Sequence, residues 1–220
     1  MYSSISTITV NASKFDNNTA TLWGGVLCAY ETTTTINTSD FDNNTAVRGG
    51  IMYAYSNTVV IDDSNFTNNS ASIEAVIYAE RNSITKYHSL LINENSAVEY
   101  AIIYLAESNG HFGGTTTFSN NLGSLVAFNS NVTFIGYGVF ASNKPSTSNT
   151  KFQEGRAVTL FQSNIFFDGA YSLEHNLAES GGAVHSSESK LYISGHVSIT
   201  NNTVIENGGG IYLSNSELNC

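Results

Sequence analysis

A near-regular series of eight bulky apolar residues, each followed by an asparagine at a distance of three, runs along this chain. The pairs are Phe15/Asn18, Phe41/Asn44, Phe66/Asn69, Ile92/Asn95, Phe118/Asn121, Phe140/Asn143, Leu173/Asn176 and Ile199/Asn202. Most copies lie about 26 residues apart, and a fixed period of roughly 20 to 50 residues is the mark of a solenoid. Such a chain buries apolar surface by stacking one unit on the next. A length of 220 residues alone would allow one or two globular domains. The repeat points instead to a single solenoid over residues 1–220.

The copies agree beyond the pair. Five residues after the apolar position comes a small one: Ala20, Ala46, Ala71, Ala97, Gly123 and Ala178, with Val204 slightly larger. A Gly-Gly or its substitute follows: Gly24-Gly25, Gly49-Gly50, Glu74-Ala75, Tyr100-Ala101, Val126-Ala127, Gly181-Gly182 and Gly208-Gly209. Next stands a short run such as Val26–Tyr30, Ile51–Tyr55 or Val76–Glu80, and a second alternating run closes the unit. Runs of four to six β-branched and aromatic residues between Gly and Asn read as strands. About three of them fill one repeat, which predicts an all-β, right-handed parallel β-helix of about eight coils. Coils stacked roughly 4.8 Å apart would form a rod about 40 Å long.

Period-two alternation in the run after Gly-Gly assigns its faces. Leu27/Ala29, Met52/Ala54, Ile77/Ala79 and Ile103/Leu105 are the inward set. Cys28, Tyr53, Tyr78, Tyr104, His185 and Tyr212 then point outward. The recurrent asparagine has a physical reason: its amide both donates and accepts, so stacked copies can satisfy the turn and each other inside the coil. The ladder would comprise Asn18, Asn44, Asn69, Asn95, Asn121, Asn143, Asn176 and Asn202. A leucine-rich repeat also carries an asparagine ladder, but 13 leucines in the whole chain are too few for that pattern.

Composition limits the partners. The net charge of -10, with only 8 Lys and Arg, argues against nucleic acid, whose phosphates require clustered bases. The chain has 27 Asn and only 12% charged residues, so amides and hydroxyls replace charge as the solubilising surface. That composition suits extracellular β-proteins. Cys28 and Cys220 are too few for a disulfide framework and lie at opposite ends of the predicted stack. No apolar run approaches the roughly 20 residues of a membrane span, and Met1–Thr7 has neither the basic start nor the apolar run of a leader. Repeat-like sequence at both ends reads as an excerpt of a longer protein, with flanking coils expected on either side.

The Phe-x-x-Asn half followed by a Gly-Gly-aliphatic-Tyr half resembles the repeat of the chlamydial polymorphic outer membrane proteins. The resemblance is carried by Phe15-Asp-Asn-Asn-Thr-Ala20 with Gly24-Gly25, Phe41–Ala46 with Gly49–Tyr53, Phe66–Ala71 with Val76–Tyr78, Gly181–Val184, and Ile199–Thr203 with Gly208–Tyr212. It spans nearly the whole chain. It implies a parallel β-helix on a cell surface, associated with the outer membrane in a bacterium, with adhesion to a host or neighbouring cell-surface protein or glycan as the usual role. The coils with Glu74-Ala75, Tyr100-Ala101 and Val126-Ala127 depart from the pattern, having lost the Gly-Gly.

Several residues are candidates for function. An outward Tyr53/Tyr78/Tyr104 stripe would suit a sugar or protein, or would simply pack coil on coil. The interval from Phe140 to Leu173 is 33 residues, seven more than usual. Its excess falls in a loop at 142–156 that carries Lys144, Lys151 and Arg156, and insertions in solenoids often bind. Asp16 and Asp42 occupy equivalent positions and form a weak Ca²⁺ candidate beside the plainer reading of solvated turn carboxylates. Asp62-Asp63 is weaker, and the five histidines show no metal-ligand spacing. No cofactor is implied. Asn-x-Ser/Thr sequons stand at Asn11, Asn17, Asn37, Asn43, Asn65, Asn68, Asn131 and Asn201, candidates for N-glycosylation in a eukaryotic secreted protein. The leading expectation is a non-enzymatic surface β-helix presenting a face for adhesion. The alternative is a carbohydrate-active β-helix, recognisable by carboxylates converging in a groove. A spacer holding another domain away from a surface is a third reading.

Overall fold

The computed structural model describes residues 1–73, 75–81, 84–98, 101–145 and 157–220. Every regular element in them is a β-strand, and every strand pairing is parallel. The chain winds as a solenoid of about eight turns. One face is a nine-stranded sheet of Tyr2–Ser4, Leu27–Tyr30, Met52–Tyr55, Ile77–Glu80, Ile103–Ala106, Leu125–Phe128, Val158–Phe161, Val184–Ser187 and Ile211–Ser214, in that order. A thirteen-stranded sheet forms the next two faces, where long strands such as Thr58–Thr67, Asn131–Ala141 and Asn164–Glu174 run around a corner. Short two-residue strands such as Thr45–Ala46 and Ser70–Ala71 lead back toward the Gly-Gly turn. No helix is long and apolar enough to cross a membrane.

Each coil turns on single residues in the left-handed region. Glu31, Ser56, Glu107 and Gln162 follow the first face, with φ between 48° and 54°; Ala12, Thr38 and Asp63 sit midway along the second sheet, with φ of 43° to 48°. Asn17, Asn43, Asn68, Asn120 and Asn201 precede the ladder asparagine, with φ of 53° to 57°. This conformation disfavours most side chains by about 1 kcal/mol or more, and asparagine least among non-glycine residues. The Asn-Asn dipeptide therefore has two roles, the first residue making the corner and the second turning inward. The Gly-Gly turn is tighter still: Gly49 has φ +63°, and a Cβ on Gly50 would stand 2.2 Å from the Ser70 carbonyl oxygen of the next coil.

The ladder runs through the whole stack. Asn95 Oδ1 accepts from the backbone N–H and Nδ2 of Asn69 at 2.9 and 3.0 Å, and Asn95 Nδ2 donates to the Phe66 carbonyl at 2.8 Å and to Asn121 Oδ1 at 3.2 Å. The same pattern joins Asn18 to Asn44 and continues to Asn202. Hydroxyl ladders line the other corners: Ser130 accepts from the Ser108 N–H, Ser163 from Ser130 and Ser189 from Ser163, while Ser39 and Ser64 serve the corner after Asn11. Interior rings stack in two columns. Phe15, Phe41 and Phe66 lie with centroids 5.1 and 5.0 Å apart, and Tyr87, Phe112, Phe134 and Phe167 with centroids 4.5, 4.7 and 4.9 Å apart. The inward set from Leu27 to Leu105 belongs to this core.

Candidate functional site

The tyrosine stripe occupies the outer column of the first face, in the register Cys28, Tyr53, Tyr78, Tyr104, Val126, Thr159, His185, Tyr212. Tyr53 and Tyr78 are coplanar within 2° at 5.0 Å, and Tyr78 and Tyr104 stack at 5.3 Å. These rings lie outside the main core, yet little of them is open. Trp23 stacks on Tyr53 at 5.8 Å, leaving it 7% exposed, and Tyr78 and Tyr104 pack against a small second cluster of Ala75, Ala101 and Val126. His185 stacks on Tyr212 at 4.9 Å and is 5% exposed, and that burial lowers its pKa from 6.5 to about 4.

Asp16 and Asp42 are paired in register, but Lys14 already meets Asp16 Oδ2 at 2.7 Å, and Asn68 donates to Asp42 at 3.2 Å. The carboxylate offered to Ca²⁺ by the sequence is thus served by an ammonium two residues away. The sequon asparagines stack on one another or on acids: Asn37 donates to Asn11, Asn43 to Asn17, Asn65 to Asp40 and Asn164 to Asn131. Lys144 is exposed and bridges to Leu122. Lys151 and Arg156, and with them most of the loop at 142–156, lie outside the described residues. The structure adds His88 to Asp62-Asp63: its Nδ1 lies 2.8 Å from Asp62 Oδ1, and the three could offer ligand atoms within 4.8 Å of one another. Spacing rules for metal ligands miss this group because a coil separates its members, with Asp62 opposite His88 in register.

A concave surface on the second sheet lies along the corner that follows residues 131–135. There the left-handed residue of earlier coils gives way to a column of glycines. A Cβ on Gly136 would stand 2.4 Å from the Gly114 carbonyl oxygen, one on Gly169 would stand 2.2 Å from Gly136 O, and one on Gly195 would stand 2.1 Å from Gly169 O. Close packing of backbone on backbone therefore demands glycine, and its by-product is a floor without side chains. The trough above has a volume of about 420 Å³ and is walled by Tyr137 and His196 on one side of the corner and Asp168 on the other. Tyr137 is 68% exposed. Ser194 Oγ donates to Asp168 Oδ1 at 3.1 Å, which orients that exposed carboxylate. Ile135, opposite Asp168, is 55% exposed; Phe166, two residues before Asp168, stacks on Tyr192 at 4.5 Å with planes 3° apart. A second depression of about 380 Å³ adjoins across Tyr137 and His196 and is edged by Thr117, Ser172 and Ser198. None of this cluster was nominated from the sequence.

No curated protein and no solved structure matches the chain. The Chlamydia polymorphic membrane protein repeat matches residues 12–30 and 196–214. The first match runs from the left-handed Ala12 through Phe15, the Asn17-Asn18 corner and Gly24-Gly25 to the end of the strand Leu27–Tyr30; the second covers the equivalent path to Ser214. The chain thus carries the repeat of the Chlamydia polymorphic membrane proteins at two places, and in three dimensions that repeat is the corner, ladder and turn of one coil.

Proposed function

We propose that this chain is a segment of a cell-surface β-helix that acts as a binding module, presenting its second sheet for adhesion to a protein or glycan on another cell. One observation carries the reading. Large apolar side chains gather in the open around the glycine corner, with Ile135 55%, Tyr137 68% and Phe166 38% exposed. None of the three belongs to the coil interior, and an apolar cluster on an otherwise amide- and hydroxyl-rich surface marks a contact site. The repeat supports a surface location. Among the described residues the trough holds a single carboxylate, Asp168, whereas glycoside hydrolysis ordinarily uses two; the geometry favours binding over bond cleavage.

The test is binding of the purified, fluorescently labelled chain to a panel of cultured cells. The wild type should bind saturably, and the double substitution Ile135→Ser with Phe166→Ser should weaken binding about 10-fold while leaving the circular dichroism spectrum unchanged. Absence of saturable binding across the panel, or equal binding by the double variant, would overturn the proposal.

A further inference from the structure

Resting on that adhesive reading, we infer that the glycine-floored trough is a binding site for a neutral oligosaccharide. Three features specify the ligand. Tyr137 offers an exposed ring face at the rim, and planar aromatic faces pack against the C–H-bearing faces of sugar rings. Asp168 presents a carboxylate oriented by Ser194, an acceptor for sugar hydroxyls, and His196 on the opposite wall can donate or accept. The floor of Gly136, Gly169 and Gly195 carries no side chain, so a flat ring can approach the backbone closely.

Charge narrows the class further. Among the described residues no Lys or Arg lines the trough or the adjoining depression, and the one fixed charge there is the negative Asp168. A sialylated or sulfated glycan would bring its anion toward that carboxylate with no cation to receive it, so the site selects neutral sugars. The two depressions, about 420 and 380 Å³, meet across Tyr137 and His196. Each falls within the range typical of ligand sites, and together they fit a chain of several sugars instead of one. The hydroxyls of Thr117 and Ser198 on the second shelf provide further donors and acceptors for a neutral chain, and Ser172, whose Oγ donates to Glu174 Oε2 at 3.1 Å, provides an acceptor.

The experiment is an array of immobilised neutral, sialylated and sulfated oligosaccharides probed with the whole chain, run beside the cell-binding assay. The wild type should bind a subset of neutral glycans. Tyr137→Ala should reduce that signal at least 10-fold, Asp168→Asn should reduce it several-fold, and Tyr137→Phe should retain it because the ring face remains. An unchanged thermal midpoint shows that each variant is folded. Binding confined to charged glycans, or neutral binding indifferent to Tyr137→Ala, overturns the assignment. Saturable cell binding with a blank array overturns the sugar site while adhesion stands. A blank result in both assays overturns adhesion and, with it, this inference.

Discussion

His185 stands in a column where other coils place Tyr53, Tyr78, Tyr104 and Tyr212, and it lies between the rings of Phe161 and Tyr212. Buried there, it is neutral in the folded protein, with its pKa lowered to about 4. The unfolded chain takes up a proton near pH 6.5, so acid favours unfolding. Stability from this group is complete above about pH 6.5, falls as pH drops toward about 4, and is then constant. At about 1.4 kcal/mol per unit, the loss is at most about 3.5 kcal/mol. Urea titrations across this range should show the decline, and His185→Tyr should remove that part of it; identical pH profiles for the two proteins would refute the account. The outward direction of this column was legible from alternation. Its burial was not, because the covering Trp23 and the second cluster come from the turn before each strand, which alternation does not describe.

Among the elements, the asparagine ladder was the most legible, since an amide that both donates and accepts recurs at a near-fixed spacing three residues after a bulky apolar one. The hydroxyl ladders were not, because serine is common throughout the chain and only the left-handed residue before each rung marks the ones that turn inward. The ladder also makes a prediction about stability. Asn95→Ala would leave the Asn69 N–H without its acceptor, take the amide donor from the Phe66 carbonyl and open a gap in the ladder, while Asn121 Oδ1 would keep the backbone N–H of residue 95. At about 1–3 kcal/mol per orphaned group, with partial relaxation, the variant should lose about 3–5 kcal/mol. Chemical denaturation measures this directly, and a loss below about 1 kcal/mol would show that the ladder contributes little.

For the whole molecule, the period predicted the stack, while its irregularities concealed the trough. Tyr137 is opposite Thr115 and Ala170 in register, steps of 22 and 33 residues, so a fixed 26-residue alignment never brings the glycine column or the rim together. Where coils are regular, they should be modular, because each contacts only its neighbours. Deleting Asn18–Asn43 joins Asn17 directly to Asn44 and removes one coil whose two ends share the same corner geometry. That variant should remain a folded β-protein with lower denaturation resistance, whereas a half-coil deletion of Asn18–Tyr30 should fail to fold; circular dichroism and size-exclusion chromatography distinguish them. Aggregation of the full-coil deletion would argue against modularity. The ladder has one more consequence, which concerns symmetry. From rung to rung, each amide Nδ2 donates to Oδ1 of the rung on its C-terminal side, so the chain of amides has a direction. Coils that continue this chain of amides, within one chain or across two, can therefore stack only head to tail. A two-fold contact would set donor against donor or acceptor against acceptor, so stacking along the ladder is heterologous and not isologous.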